Sequence, residues 1–99
     1  MVKYLKIFND QLTTNYCEEN SFEDALYDIV GYNYGTRHSN DGRYLIIEDN
    51  CLEGNASKIN SKFYSRGILY GVCVIVKSNY ESLQDEDLRY LYDEVQIIG

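Results

Sequence analysis

The longest apolar run in the 99-residue chain is Ile68-Leu69-Tyr70-Gly71-Val72-Cys73-Val74-Ile75-Val76-Lys77. Its β-branched residues suit a pleated surface, where a stiff χ1 costs little, and the run predicts the central strand of a sheet. Strict alternation would leave one face of such a strand in water. Continuous apolarity instead requires cover on both faces, from helices, a second layer or a partner. Gly71 favours a strand over a helix and marks a bulge or a close backbone approach, and the run is too short to span a bilayer.

The flanking sequence divides by period. Val2, Tyr4 and Phe8 alternate with Leu5 and Ile7, which predicts a first strand, whereas Asn9 to Asn20 has no period and reads as a loop or fraying turn. Ser21 and Asp24 make a weak capping box ahead of Phe22, Leu26, Ile29 and Val30, one helical stripe that Gly31 ends. Tyr32-Asn33-Tyr34 and Tyr44-Leu45-Ile46-Ile47 should pair antiparallel around the turn Ser39-Asn40-Asp41-Gly42. Glu48 to Arg66 is a long polar connection with a short extended piece. Ser82 is placed to cap a second helix with Leu88, Leu91, Tyr92 and Val95 as its apolar stripe, and Ile97-Ile98-Gly99 should dock onto the core or onto a second copy. The expected fold class is α+β: one domain over residues 1–99, with a small, mainly antiparallel sheet of three to five strands and two amphipathic helices.

Charge narrows the function classes. The net charge of −7 argues against direct nucleic-acid binding, which needs Lys and Arg to displace counterions from phosphates. Acid is concentrated in Glu18, Glu19, Glu23, Asp24 and Asp28, and again in Glu81, Asp85, Glu86, Asp87, Asp93 and Glu94. Eleven tyrosines and no tryptophan supply rings with polar tips, suited to half-buried strands and to recognition surfaces. Cys17, Cys51 and Cys73 show neither metal-site spacing nor an even disulfide framework, so a reducing, cytoplasmic setting is expected. No apolar signal core follows Met1-Val2-Lys3-Tyr4-Leu5-Lys6, and no membrane partner is expected.

No catalytic constellation stands out, and neither metal nor cofactor is expected. The single histidine, His38, lies beside a turn with no orienting partner or nucleophile in the sequence, and reads as a surface residue. Glu48-Asp49-Asn50 with Glu53 lacks cation-loop spacing, since Leu52 occupies a position that needs a ligand. Cys73 reads as a small core hydrophobe, and Cys17 beside Glu18 and Glu19 is disfavoured as a thiolate. Arg37, Arg43, Lys58, Lys62 and Arg66 read as intramolecular or partner-facing charges, with a small RNA site as the alternative. The acidic helices are the sharper feature. Their carboxylates either cap the helix dipole and solvate the surface, or imitate duplex phosphates toward a basic cleft.

The order of elements resembles a family of small phage and mobile-element proteins carried as a domain of unknown function. The resemblance rests on Phe22 to Gly31, Tyr44 to Asp49, Glu53-Gly54 with Asn60, Gly71 to Val76 and Ser82 to Asp87. The chain departs from that family in having no proline, and in having Ser61 rather than a basic residue after Asn60. The resemblance implies a phage or prophage origin and no catalysis. The leading expectation is a non-enzymatic inhibitor of a host defence or nucleic-acid-processing protein, of the anti-CRISPR or anti-restriction type. Its partner-binding residues would be Glu23, Asp24, Asp28, Asp85, Glu86, Asp87, Tyr90, Asp93 and Glu94. The alternative is a self-associating module, a homodimer built on Ile97, Ile98 and an exposed side of the central strand; an enzyme using His38 ranks last.

Overall fold

The chain runs β1 (Val2–Phe8), β2 (Gln11–Cys17), α1 (Phe22–Ile29), β3 (Tyr34–His38), β4 (Tyr44–Asp49), β5 (Ile59–Phe63), β6 (Gly67–Tyr70), β7 (Cys73–Lys77), α2 (Asp85–Glu94) and β8 (Val95–Ile97). The computed structural model describes residues 1–8, 11–18, 22–39, 41–49, 59–63, 67–70 and 72–97. Five strands form an antiparallel sheet in the order β2-β1-β7-β4-β3, and three more form a second antiparallel sheet, β6-β5-β8. The α+β class is as expected; the second sheet is additional.

The long apolar run is not one strand. Its first half is β6 in the small sheet, and its second half is β7 at the centre of the large one. Length explains the division. β7 pairs with β4 from Tyr44↔Lys77 to Glu48↔Cys73, and a strand twice as long would overrun its neighbours and leave backbone groups without partners. Gly71, expected to mark a bulge or a close backbone approach within one strand, lies outside the described residues.

β7 needs cover on both faces and receives it. Cys73, Val74, Ile75 and Val76 are all fully buried. Cys73 and Ile75 join Leu5, Ile7, Tyr44 and Ile46 under Leu83, Leu91 of α2 and Val95 of β8. Val74 and Val76 join Val2, Tyr4, Leu45 and Ile47 under Phe22 and Leu26 of α1, with Val30. The helices therefore lie on opposite faces of the sheet. The central strand has no exposed side, so the homodimer expected through it lacks that surface; of the terminal residues, Ile97 is drawn into β8 beside Ser61, and Ile98 lies outside the described residues.

Three further expectations are corrected. Residues 11–17 are not a loop but β2, paired one for one with β1 from Phe8↔Gln11 to Val2↔Cys17. The pairing that was expected from Tyr32 begins at Tyr34, opposite Asp49, because Tyr32 and Asn33 still belong to the turn after α1. Ser82 does not cap α2. Its hydroxyl accepts the Lys3 N–H at 2.8 Å, and the Leu83 N–H bonds to the Lys3 carbonyl at 2.9 Å, so this segment takes up β1 beyond Leu5↔Ile75, the last pair that β1 makes with β7. Ser21 lies outside the described residues.

The β3–β4 turn is where backbone geometry demands glycine. Gly42 sits at φ +76° and donates its N–H to the Ser39 carbonyl, while nothing lies within 4 Å of where a Cβ would be. Strain alone decides a substitution there. Gly42→Ala should lose about 1 kcal/mol of stability in urea unfolding, and Gly42→Asn, whose side chain tolerates the left-handed region, should lose clearly less.

Candidate functional site

Among the described residues, two places gather polar and aromatic side chains. The first is a polar cleft of about 460 Å³ where the β3–β4 turn, the end of β7 and the start of α2 meet, lined by Arg43, Tyr44, Lys77, Asn79, Glu86 and Asp87 among others. Its floor is held by Asp87, the third residue of α2 and only 6% exposed. One carboxylate oxygen accepts the Tyr44 hydroxyl at 2.8 Å; the other accepts the Gln84 N–H at 2.8 Å and faces Lys77 Nζ at 3.4 Å. Burial pushes the Asp87 carboxyl up, but the Gln84 N–H, the Tyr44 hydroxyl and Lys77 together outweigh it and leave its pKa below the ordinary value. Burial, and then the bond to Asp87, push the Tyr44 phenol strongly up.

Above this floor Arg43 lies 4.4 Å from the Tyr90 ring centre and 5.2 Å from that of Tyr44, while those two rings stack at 5.7 Å. Asp41 binds the same arginine through its backbone N–H at 3.0 Å and its Nε at 2.7 Å, and also accepts the Ser39 hydroxyl at 2.7 Å. The Arg43 backbone N–H, then Ser39 and the Arg43 side chain, hold the Asp41 carboxyl at a pKa of about 2. Both cations of the cleft thus already have carboxylate partners. Tyr90, a residue expected to meet a partner, is instead half-buried in the arginine stack.

The second place is on the α1 face. Glu23, Asp24, Tyr27 and Asp28 recur at three- and four-residue spacing, so they share the helix side opposite Phe22 and Leu26, and all four are exposed. Tyr27 stacks on Tyr32 at 5.6 Å and meets Tyr34 of β3 at 5.4 Å. Tyr32 is 86% exposed and Tyr27 41%. Burial raises the Tyr34 phenol, helped by Tyr80, Tyr27 and Glu23, which places those groups around it.

The turn after β7 is tied to this side. Asn79 and Tyr80 both have positive φ, 69° and 61°. Asn tolerates that region, whereas Tyr there is strained. The Tyr80 ring meets Phe22 edge-on at 5.7 Å, and Phe22 meets Tyr4 the same way at 5.5 Å, so ring burial offsets the backbone cost.

The remaining expected residues separate. Asp85, Glu86 and Asp93 are exposed and Glu94 half-buried on α2, across the sheet from the α1 acids, so the two acidic segments do not form one surface. Asp85 lies 3.7 Å from Lys3. Asp87, expected outside, is inside; with Ser82 read as the cap the third helical residue would be Asp85, and neither the true cap at Gln84 nor the use of Asp87 by Tyr44, 43 positions away, had a local signal. Tyr92 is 45% exposed, and Tyr90 takes the apolar place predicted for it. His38 is exposed on β3 and Cys73 is buried. Glu48 is buried on β4 and pairs with Arg37, which leaves it no part in a cation loop. Asn50, Glu53, Lys58 and Arg66 lie outside the described residues. Among the described residues no three His, Cys, Asp or Glu side chains gather as a metal site, and no helix is long and apolar enough to cross a membrane. Compared with known proteins, the chain matches no family model, no curated protein and no solved structure.

Acid should expose the polar network. Asp87 and Asp41 both have folded pKa values below their unfolded ones, so the stability they contribute is complete above the ordinary carboxylate range and is lost as pH falls, for Asp41 through about 2. Urea midpoints measured downward from pH 6 should therefore decline, and Asp87→Asn should be less stable at pH 6 with a shallower decline. Tyr44→Phe, which leaves one buried carboxylate oxygen short of its donor, should cost about 1–3 kcal/mol.

Proposed function

We propose that this chain is a small non-catalytic binding protein of phage type that seats its α1 face on a basic surface of a host defence or nucleic-acid-processing protein and inhibits it. A CRISPR effector or a restriction enzyme in the host cytoplasm fits the description. The observation that carries the reading is the tyrosine row Tyr32-Tyr27-Tyr34, exposed at Tyr32 and Tyr27 and anchored on the core by Tyr34, beside Glu23, Asp24 and Asp28, three carboxylates without an ion-pair partner among the described residues. Tyrosine offers large contact area at low entropic cost, and its ring face attracts the same Arg and Lys side chains that the carboxylates attract. Such a surface supplies both anchors and steering toward a cleft that ordinarily takes phosphates.

The α1 face is favoured over α2 because α2 offers carboxylates without exposed stacked rings, and because its Tyr90 and Asp87 are committed inside. Charge imitation of DNA then concerns one helix face and its aromatic border, not two helices in register. The resemblance to small phage proteins supplies the suggestion of origin.

The test is affinity capture from a bacterial host lysate with the tagged chain at low and high salt. A basic nucleic-acid-processing protein should be held at low salt and released at high salt. Combined Glu23→Lys, Asp24→Lys and Asp28→Lys should abolish capture with an unchanged far-UV spectrum, and Tyr27→Ala with Tyr32→Ala should weaken it by roughly 2 kcal/mol or more. Reversal of Glu86, Asp93 and Glu94 should leave it intact; the opposite pattern overturns the assignment to α1.

A further inference from the structure

The two edges of the large sheet differ in how they are protected. β3, at one edge, carries Gly35, Arg37 and His38, whereas β2, at the other, reads Gln11-Leu12-Thr13-Thr14-Asn15-Tyr16-Cys17 with no charge, proline or glycine. Its register with β1 has no bulge. Lysine, proline and bulges are the usual devices that keep a sheet edge from pairing with another chain, and β2 has none of them.

The direction of its free backbone groups follows from β1. The Lys3 N–H and C=O both turn away from β2, to Ser82 and Leu83. In an antiparallel pair the residue opposite turns away as well, so Tyr16, the register partner of Lys3, directs its own groups off the sheet edge. Alternation adds Thr14 and Leu12, and the Leu12 carbonyl is met from outside by the Tyr92 hydroxyl at 3.4 Å, a long bond that the N–H of a pairing strand would replace. Leu12, Thr14 and Tyr16 stand opposite Ile7, Leu5 and Lys3, so their side chains share the α2 face, where Tyr16 is 59% exposed beside the partly buried Leu12.

We infer that β2 pairs antiparallel with β2 of a second copy of this chain, around a two-fold axis at Thr14, to give one continuous sheet. The strand is complementary to itself in this register. Thr14 meets Thr14, and Leu12 meets Tyr16 of the other copy, pairings of the kind that stabilise antiparallel strands. Charge selects this edge for a like partner. Each copy carries −7, so self-association is opposed wherever acids face each other; β2 brings none to the axis, Lys3 and Lys6 of β1 flank it, and the nearest described acid along the chain, Glu18, lies four residues away, beyond the end of the strand. The contact is isologous and therefore closes at two copies.

Sedimentation of the chain across a wide concentration range should show a monomer–dimer equilibrium. Thr14→Lys, which sets like charges opposite each other at the axis, should weaken dimerisation at least about tenfold with the far-UV spectrum preserved. A chain that stays monomeric throughout overturns the inference, as does a dimer indifferent to Thr14→Lys. Cysteine scanning in a Cys17→Ala background provides a second readout that does not depend on the lysine variant folding. Thr14→Cys should form a disulfide-linked dimer through position 14, because residues facing each other in an antiparallel pair lie within disulfide reach, whereas Thr13→Cys, opposite Asn15, should not. Linkage through position 13 in preference to 14 overturns the register.

Discussion

β7 is buried on both faces at the centre of the large sheet, and the rest of the structure follows from the cover it requires. Four consecutive residues, Cys73 to Val76, are out of contact with water, so each side of the sheet must carry a layer. Among the described residues there is one short α-helix for each. Eight residues of α1 close one side through Phe22 and Leu26; α2 and β8 close the other through Leu91 and Val95. The same burial accounts for the Arg37–Glu48 pair. Glu48 stands opposite Cys73 at the last pair of the register and is nonetheless buried, where a carboxylate is tolerable only with a cation brought to it, and Arg37 on the edge strand β3 reaches it.

Asp87 is the polar counterpart of that apolar centre. An acid in the first turn of a helix ordinarily serves the dipole from the surface, but here the same carboxylate accepts the N–H at the helix start, the hydroxyl of a buried tyrosine on β4, and the charge of Lys77 on β7. A helix cap, a core tyrosine and the end of the central strand are thereby fixed to one another. The arrangement determines how α2 sits on the sheet, and it removes Asp87 from any partner surface while leaving Asp85, Glu86 and Asp93 in water.

What the sequence discloses is what lies in local period. β1, α1, the Asp41-Gly42 turn and the cover on both faces of β7 are legible because alternation, a helical stripe, a turn dipeptide and an uninterrupted apolar run each report a local cause. β2 is hidden because an edge strand half in water has little to alternate: Leu12, Thr14 and Tyr16 share a face, and only Leu12 is aliphatic. The division of Ile68–Lys77 is hidden because it is set by the length of β4, which is remote in sequence. In α2, a stripe through Tyr92 and a stripe through Tyr90 fit the same spacing, and Arg43 decides between them by supplying a cation for the Tyr90 ring. The tyrosine row is hidden for a related reason, since it joins Tyr27 on a helix, Tyr32 in a turn and Tyr34 on a strand.

The two surfaces inferred here are compatible in geometry. A two-fold axis that joins β2 to β2 stands perpendicular to the sheet, because residues paired across antiparallel strands point to the same face. Both α1 helices of such a dimer therefore lie on one side of a continuous sheet, and both copies of α2 on the other. A basic surface large enough to meet both α1 faces would be engaged twice, and the second contact would form at the high effective concentration set by a rigid sheet instead of a flexible tether. Net charge works in the same direction: the acids of α1 face away from the sheet and flank no axis, so the repulsion that keeps −7 chains apart is directed into solvent or into a basic partner, not across the uncharged edge.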